Sequence, residues 1–140
     1  MRETELRFEL DPSLDEGFPT ARARFADWLQ GQHVSEDDAE ELHVVLSELV
    51  ANAVEATPDA PERPPIHVWA QRHGEKVWIE VSNSAQRTVR FPPMPELPAD
   101  PLGPSGRGLV IVKAFTDRVA AETLDGRTRV TAVKTLRASA

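Results

Sequence analysis

The stretch that decides the fold runs Ser35-Glu36-Asp37-Asp38-Ala39-Glu40-Glu41-Leu42-His43-Val44-Val45-Leu46-Ser47-Glu48-Leu49-Val50-Ala51-Asn52-Ala53. Ala39, Leu42, Leu46, Leu49 and Ala53 recur at helical spacing, and Val45 and Val50 widen the stripe. Ser35 can cap the helix, Asp38 stands at the capping-box position, and Glu36 and Asp37 suit the positive end of the helix dipole. Thr57-Pro58 closes it. Glu48 and Asn52 are four residues apart and therefore share a face. By helical angle they lie on the flank of the stripe, in line with Val45, where helix meets core. A carboxylate and an amide so placed can hold a hard cation such as Mg²⁺ and orient a water or hydroxyl. The same spacing also fits a surface glutamate beside an asparagine bonded to a loop.

Upstream, Leu6, Phe8 and Leu10 alternate with polar residues and predict a strand that Asp11-Pro12-Ser13 ends. Ala21, Phe25, Trp28 and Leu29 predict a helix, with Gly31 at its expected stop. Downstream, Ile66, Val68 and Ala70, then Val77, Ile79 and Val81, alternate around the turn His73-Gly74-Glu75. From Ser84 to Gly106 the period is lost, and six of the 12 prolines fall there. So long an aperiodic segment in a small domain predicts a lid at about 84–106. Leu109, Val112 and Phe115 predict a short helix. Val119 to Leu124 and Thr128 to Leu136 predict a last hairpin around Asp125-Gly126. Strands and helices in this order predict an α/β (α+β) two-layer sandwich, a mixed, mostly antiparallel sheet with its helices on one face.

Composition narrows the function. With 140 residues, 40% hydrophobic, the chain fits one domain spanning 1–140. It has no apolar run of membrane-spanning length, and its start, Met1-Arg2-Glu3-Thr4-Glu5, is too polar for a signal peptide. The expected location is the cytoplasm, away from membranes. Zero cysteines exclude disulfides and thiolate-bound metals. A net charge of −7 argues against direct nucleic-acid binding and favours a protein partner. His33, His43, His67 and His73 lack metal-ligand spacing. Trp69 and Trp78 read either as cover for a sheet face or as a stacking surface for a purine.

A second candidate site is Gly103-Pro104-Ser105-Gly106-Arg107-Gly108-Leu109-Val110-Ile111-Val112, a glycine-rich loop expected to lead into the short helix. Backbone N–H groups at a helix start suit phosphates, and Arg107 adds a charge-assisted donor. A tight turn is the alternative. No Gly-Lys-Ser/Thr follows, so the segment is not a Walker P-loop.

Taken in order, the two sites resemble those of the GHKL ATPases, the histidine kinase- and Hsp90-like family with the Bergerat ATP-binding fold. Glu48-Leu49-Val50-Ala51-Asn52-Ala53 resembles the family's N box, and Gly106 to Val112 its second glycine box. Gly126-Arg127-Thr128-Arg129-Val130 is similar to its closing strand, and the likeness covers roughly Leu6 to Leu136. The short form, with Ala21-Arg22 in the first helix and no phosphoacceptor hairpin, looks most like the anti-sigma-factor serine/threonine kinases of the SpoIIAB and RsbW type. The resemblance implies ATP and Mg²⁺ as cofactors, Glu48 as general base and Asn52 as Mg²⁺ ligand. It implies that Gly106, Arg107, Gly108 and Leu109 approach the phosphates and that Thr128 lines the nucleotide pocket. It also implies a role in transcription regulation through a protein partner, a sigma factor or an anti-sigma-factor antagonist, and it accommodates a homodimer.

One box departs from the pattern. Where the family has Asp-x-Gly-x-Gly, this chain reads Asn83-Ser84-Ala85-Gln86-Arg87. Asn83 takes the place of the aspartate that accepts the adenine amine. A neutral acceptor gives up a charge-assisted bond, about 1.5–3 kcal/mol against roughly 1, or on the order of ten-fold in affinity. Alternative functions are therefore a non-catalytic interaction module with a degenerate nucleotide pocket, or a phosphate-ligand binder using only the Gly106 segment.

Overall fold

The computed structural model describes residues 4–12, 17–56, 64–84, 104–124 and 126–137. The elements are β1 (Glu5–Leu10), α1 (Gly17–Gln32), α2 (Glu36–Ala56), β2 (Ile66–His73), β3 (Lys76–Ser84), α3 (Pro104–Phe115), β4 (Arg118–Leu124) and β5 (Arg127–Thr135). The expected order holds. The strands form a single sheet in the order β1-β2-β3-β5-β4. All four pairings are antiparallel, so the sheet expected to be mixed contains no parallel pair among its described strands.

Alternation along each strand sorts the sheet into two faces. Phe8, Val68, Val81 and Val130 lie side by side across the register, and Ala70, Ile79, Ala132 and Val119 form the next row. All are buried. Over them lie Leu42, Val45, Leu46, Leu49, Val50 and Ala53 of α2, with Phe25, Trp28 and Leu29 of α1 and Val112 of α3. The other face carries Trp69, whose Nε1 donates to Glu5 Oε1 at 2.8 Å, and the exposed Trp78. Both tryptophans thus cover the outer sheet face. Among the described residues no helix is long and apolar enough to cross a membrane.

Two boundaries differ from the sequence expectation. α1 runs through Gly31 and stops after Gln32, because His33 takes the left-handed conformation (φ 54) that turns the chain. β3 continues through Ser84, and α3 already begins at Pro104, whose fixed φ suits a first helical position. Both ends of the expected lid at 84–106 therefore belong to regular elements, and residues 85–103 lie outside the described residues. Gly74 and Gly126 have positive φ in the turns of the two hairpins, the conformation that favours glycine there.

The capping box at the start of α2 is half formed. Asp38 N donates to Ser35 Oγ at 3.1 Å. The Asp38 carboxylate, however, turns inward and accepts from Arg137 N at 2.8 Å, with Lys134 Nζ at 3.5 Å. Lys134, itself buried, also reaches Glu41 at 2.9 Å, and Arg137 reaches Glu41 at 2.7 Å. This cluster fastens the beginning of α2 to the end of β5.

Lys134, then Arg137, holds the Glu41 carboxyl below its ordinary value of 4.5 against the opposing effect of burial. As pH falls, the unfolded chain takes up this proton before the folded one does. Stabilisation by Glu41 is thus fully present above about pH 4.5 and is lost as pH drops through the lower folded value. Urea unfolding should show Glu41→Gln less stable than wild type at pH 7, with the gap closing as pH falls toward 3. A gap independent of pH would remove the ionised pair as its cause.

Candidate functional site

Lys134 marks one end of the helical layer. It touches the first turns of α2 through Asp38 and Glu41, and its Nζ lies 3.5 Å from the carbonyl of Phe115, the last residue of α3. α2 and α3 pack on each other, so they run antiparallel away from this point. From Glu41 to Asn52, eleven residues of helix cover about 17 Å, and from Phe115 back to Gly106, nine residues cover about 14 Å. Along β5 the six residues from Lys134 back to Thr128 cover about 20 Å. Asn52, the first turns of α3 and Thr128 therefore lie toward the same end of the domain. β3 adds Asn83, which stands directly opposite Thr128.

At that end the helix-facing side of the sheet changes character. The apolar rows give way to Asn83, Thr128 and Thr123, neighbours across β3, β5 and β4. Asn83 is 3% exposed and Thr128 is 1% exposed. The hydroxyls of Thr123 and Thr128 lie 3.1 Å apart in a hydrogen bond. A buried amide and hydroxyl at the rim of a β-branched core form a polar floor, and buried polar groups rarely persist without hydrogen-bonding work.

Glu48 and Asn52 are half-buried on the flank of α2, as their angle to the fully buried Val45 requires. Among the described residues neither side chain makes an ion pair or hydrogen bond. Gly106, Arg107, Gly108 and Leu109 fall inside α3, in its first turns. The glycine segment is thus a helix N-terminus, where unpaired N–H groups and the dipole favour an anion. The expected loop before the helix is corrected to the helix itself, since Pro104 starts it.

No group of three or more acidic or histidine side chains suited to a metal occurs among the described residues. A Mg²⁺ ion at Asn52 would take most of its ligands from phosphates and water, its usual habit. His43 packs edge-on against Phe25, and burial, aided by Arg22, pushes its pKa down, so it is part of the core edge. The helix start, the half-buried oxygen pair and the buried amide–hydroxyl floor match a phosphate chain, a hard cation and a polar ring edge respectively. The residues present therefore fit a nucleotide.

Sequence reading did not find Thr123 or the Asp38–Glu41–Lys134–Arg137 cluster. Asp38 and Arg137 are 99 residues apart, and no local period joins them.

The fold defines a class, two-layer domains whose antiparallel sheet carries its helices on one face. The chain belongs to the histidine kinase-like ATPase domain family, whose pattern it matches over residues 12–134. It is similar in fold to the crystal structure of the RsbU and RsbW domains of Rv1364c from Mycobacterium tuberculosis, with a TM-score of 0.72 and 22% identity over 96% of this chain. The present chain spans only 33% of the length of that solved chain. A weaker likeness, TM-score 0.49 and 12% identity over 71% of this chain and 48% of the other, is to the histidine kinase AdeS of Acinetobacter baumannii. No curated protein matches.

Because Glu48 and Asn52 bond to no described neighbour, their replacement should leave the fold intact. Glu48→Gln and Asn52→Ala should each unfold in urea within about 1 kcal/mol of wild type. A loss of several kcal/mol would mark either residue as structural.

Proposed function

We propose that the chain is a regulatory ATP-binding protein of the anti-sigma-factor serine/threonine kinase type, acting in the cytoplasm on a regulatory protein partner. What supports this reading is that, by the lengths of their elements, Glu48, Asn52 and the start of α3 run toward the end of the domain where Asn83 stands opposite Thr128. Membership of an ATPase domain family and the fold shared with an RsbU–RsbW protein support it.

In this reading the N-terminus of α3, from Gly106 to Leu109, holds the phosphates, and Asn52 holds Mg²⁺. Asn83 and Thr128 receive the adenine edge. The bound nucleotide supplies the phosphoryl group, and the Glu48 carboxylate takes the proton from the serine or threonine hydroxyl of the partner. Glu48→Gln should then abolish transfer while nucleotide binding persists, and Asn52→Ala should weaken Mg²⁺-dependent binding itself. Transfer by Glu48→Gln at the wild-type rate would remove Glu48 from the reaction.

Asn83 decides between this reading and an interaction module with a degenerate pocket, since it is neutral, buried, and the residue to which this reading gives the adenine amine. Calorimetry with Mg-ATP and Mg-GTP on wild type and Asn83→Asp separates them. Asn83→Asp should bind ATP about ten-fold tighter, because a charged acceptor meets the amine. GTP presents a carbonyl there and should gain nothing. No ATP binding by either protein at millimolar concentration would leave partner binding as the function.

A further inference from the structure

The helix-facing side of β4 carries Val119, Ala121 and Thr123 at alternate positions, opposite Ala132, Val130 and Thr128 of β5. Val119 is buried, Ala121 is half-buried and Thr123 is exposed. Cover by the helical layer therefore fades along β4 and has ended at Thr123. Across the sheet, the row Asn83, Thr128, Thr123 passes from a buried amide to a hydroxyl in contact with solvent. Thr128 stands at that boundary.

Only Thr116 and Asp117 join α3 to β4, and the two elements touch, so the strand runs back beside the helix. From Arg118 to Thr123 the strand covers about 17 Å, close to the about 14 Å of α3 from Phe115 back to Gly106. Thr123 thus lies level with the first turns of α3. Its Oγ1 is hydrogen-bonded to Thr128 Oγ1 at 3.1 Å. A threonine hydroxyl turns about its Cα–Cβ and C–O bonds, and one hydrogen bond selects a setting of both. With one proton and two lone pairs, the Thr128 hydroxyl keeps capacity for a further partner beside Thr123.

On the nucleotide reading, which this assignment presupposes, we propose that Thr123 is a positioning residue for base recognition. Its hydroxyl holds the Thr128 hydroxyl in the one rotamer that meets the purine edge, beside Asn83. Thr123 acts through Thr128 and does not itself touch the base. Without the bond, Thr128 spreads over its three staggered rotamers and meets the base in one of them, which weakens binding by about three-fold. Threonine pairs across two strands also steady a hairpin. Valine has the same shape and a strong strand preference, so it separates that contribution from the hydroxyl's own.

The test is calorimetry of Mg-ATP on wild type, Thr123→Val, Thr123→Ser, Thr128→Val and the double variant Thr123→Val/Thr128→Val. Thr123→Val should bind Mg-ATP about three-fold more weakly than wild type while unfolding near the wild-type denaturant midpoint. Thr123→Ser keeps the hydroxyl and should bind as wild type does. In the Thr128→Val background, Thr123→Val should cost nothing more, because the group it positions is already gone. Wild-type affinity in Thr123→Val would overturn the assignment and leave the nucleotide reading standing. So would a weakening that Thr123→Ser shares, or one that persists in full when Thr128 is valine, since neither runs through the Thr128 hydroxyl. Absence of ATP binding by wild type at millimolar concentration would overturn the nucleotide reading itself, and this role of Thr123 with it.

Discussion

The buried ammonium of Lys134 is the constraint on which the arrangement of this domain rests. It meets Asp38 and Glu41 where α2 begins, and it approaches the carbonyl of Phe115 where α3 ends. A charge taken out of water is tolerated only where partners surround it, and removing one partner of such a pair is strongly destabilising. The apolar stripe of α2 would pack on the sheet at several sliding offsets. The Lys134 cluster selects one of them and so fixes how far along the sheet Glu48 and Asn52 come to rest.

The distribution of burial follows from that anchoring. One end of the helical layer is closed by charges that satisfy each other. The middle is filled by apolar side chains in register across the sheet. At the far end the sheet exposes to the helices a row of amide and hydroxyl groups, Asn83, Thr128 and Thr123. Polarity at that end is a departure from optimal packing, and such departures concentrate where a protein meets its ligand. The half-buried carboxylate and amide of α2 belong to the same departure.

Much of this was legible in the chain. Periods of two and of three to four residues gave all eight elements in order, because each buries one face. The Glu48–Asn52 spacing carried its own face assignment for the same reason. Boundaries were less legible. Gly31 looked like a helix stop, yet the turn was made one residue past Gln32 by His33, whose left-handed φ no period announces. The glycine segment looked like a loop because Gly106 and Gly108 disfavour helix. In the structure it is helical from Pro104, and its continuation buries Val112 against the core.

By itself the sequence determined what alternates, what repeats and which residues bear chemistry, since these are properties of neighbours along the chain. It determined the two-layer architecture and the neutral Asn83 in place of an aspartate. Only the tertiary structure decided which distant groups meet: Asp38 with Arg137 across 99 residues, and Thr128 opposite Asn83. Those meetings depend on sheet register and on where a buried charge finds its partners. Both are set by the summed packing of elements far apart in sequence, which no local pattern encodes.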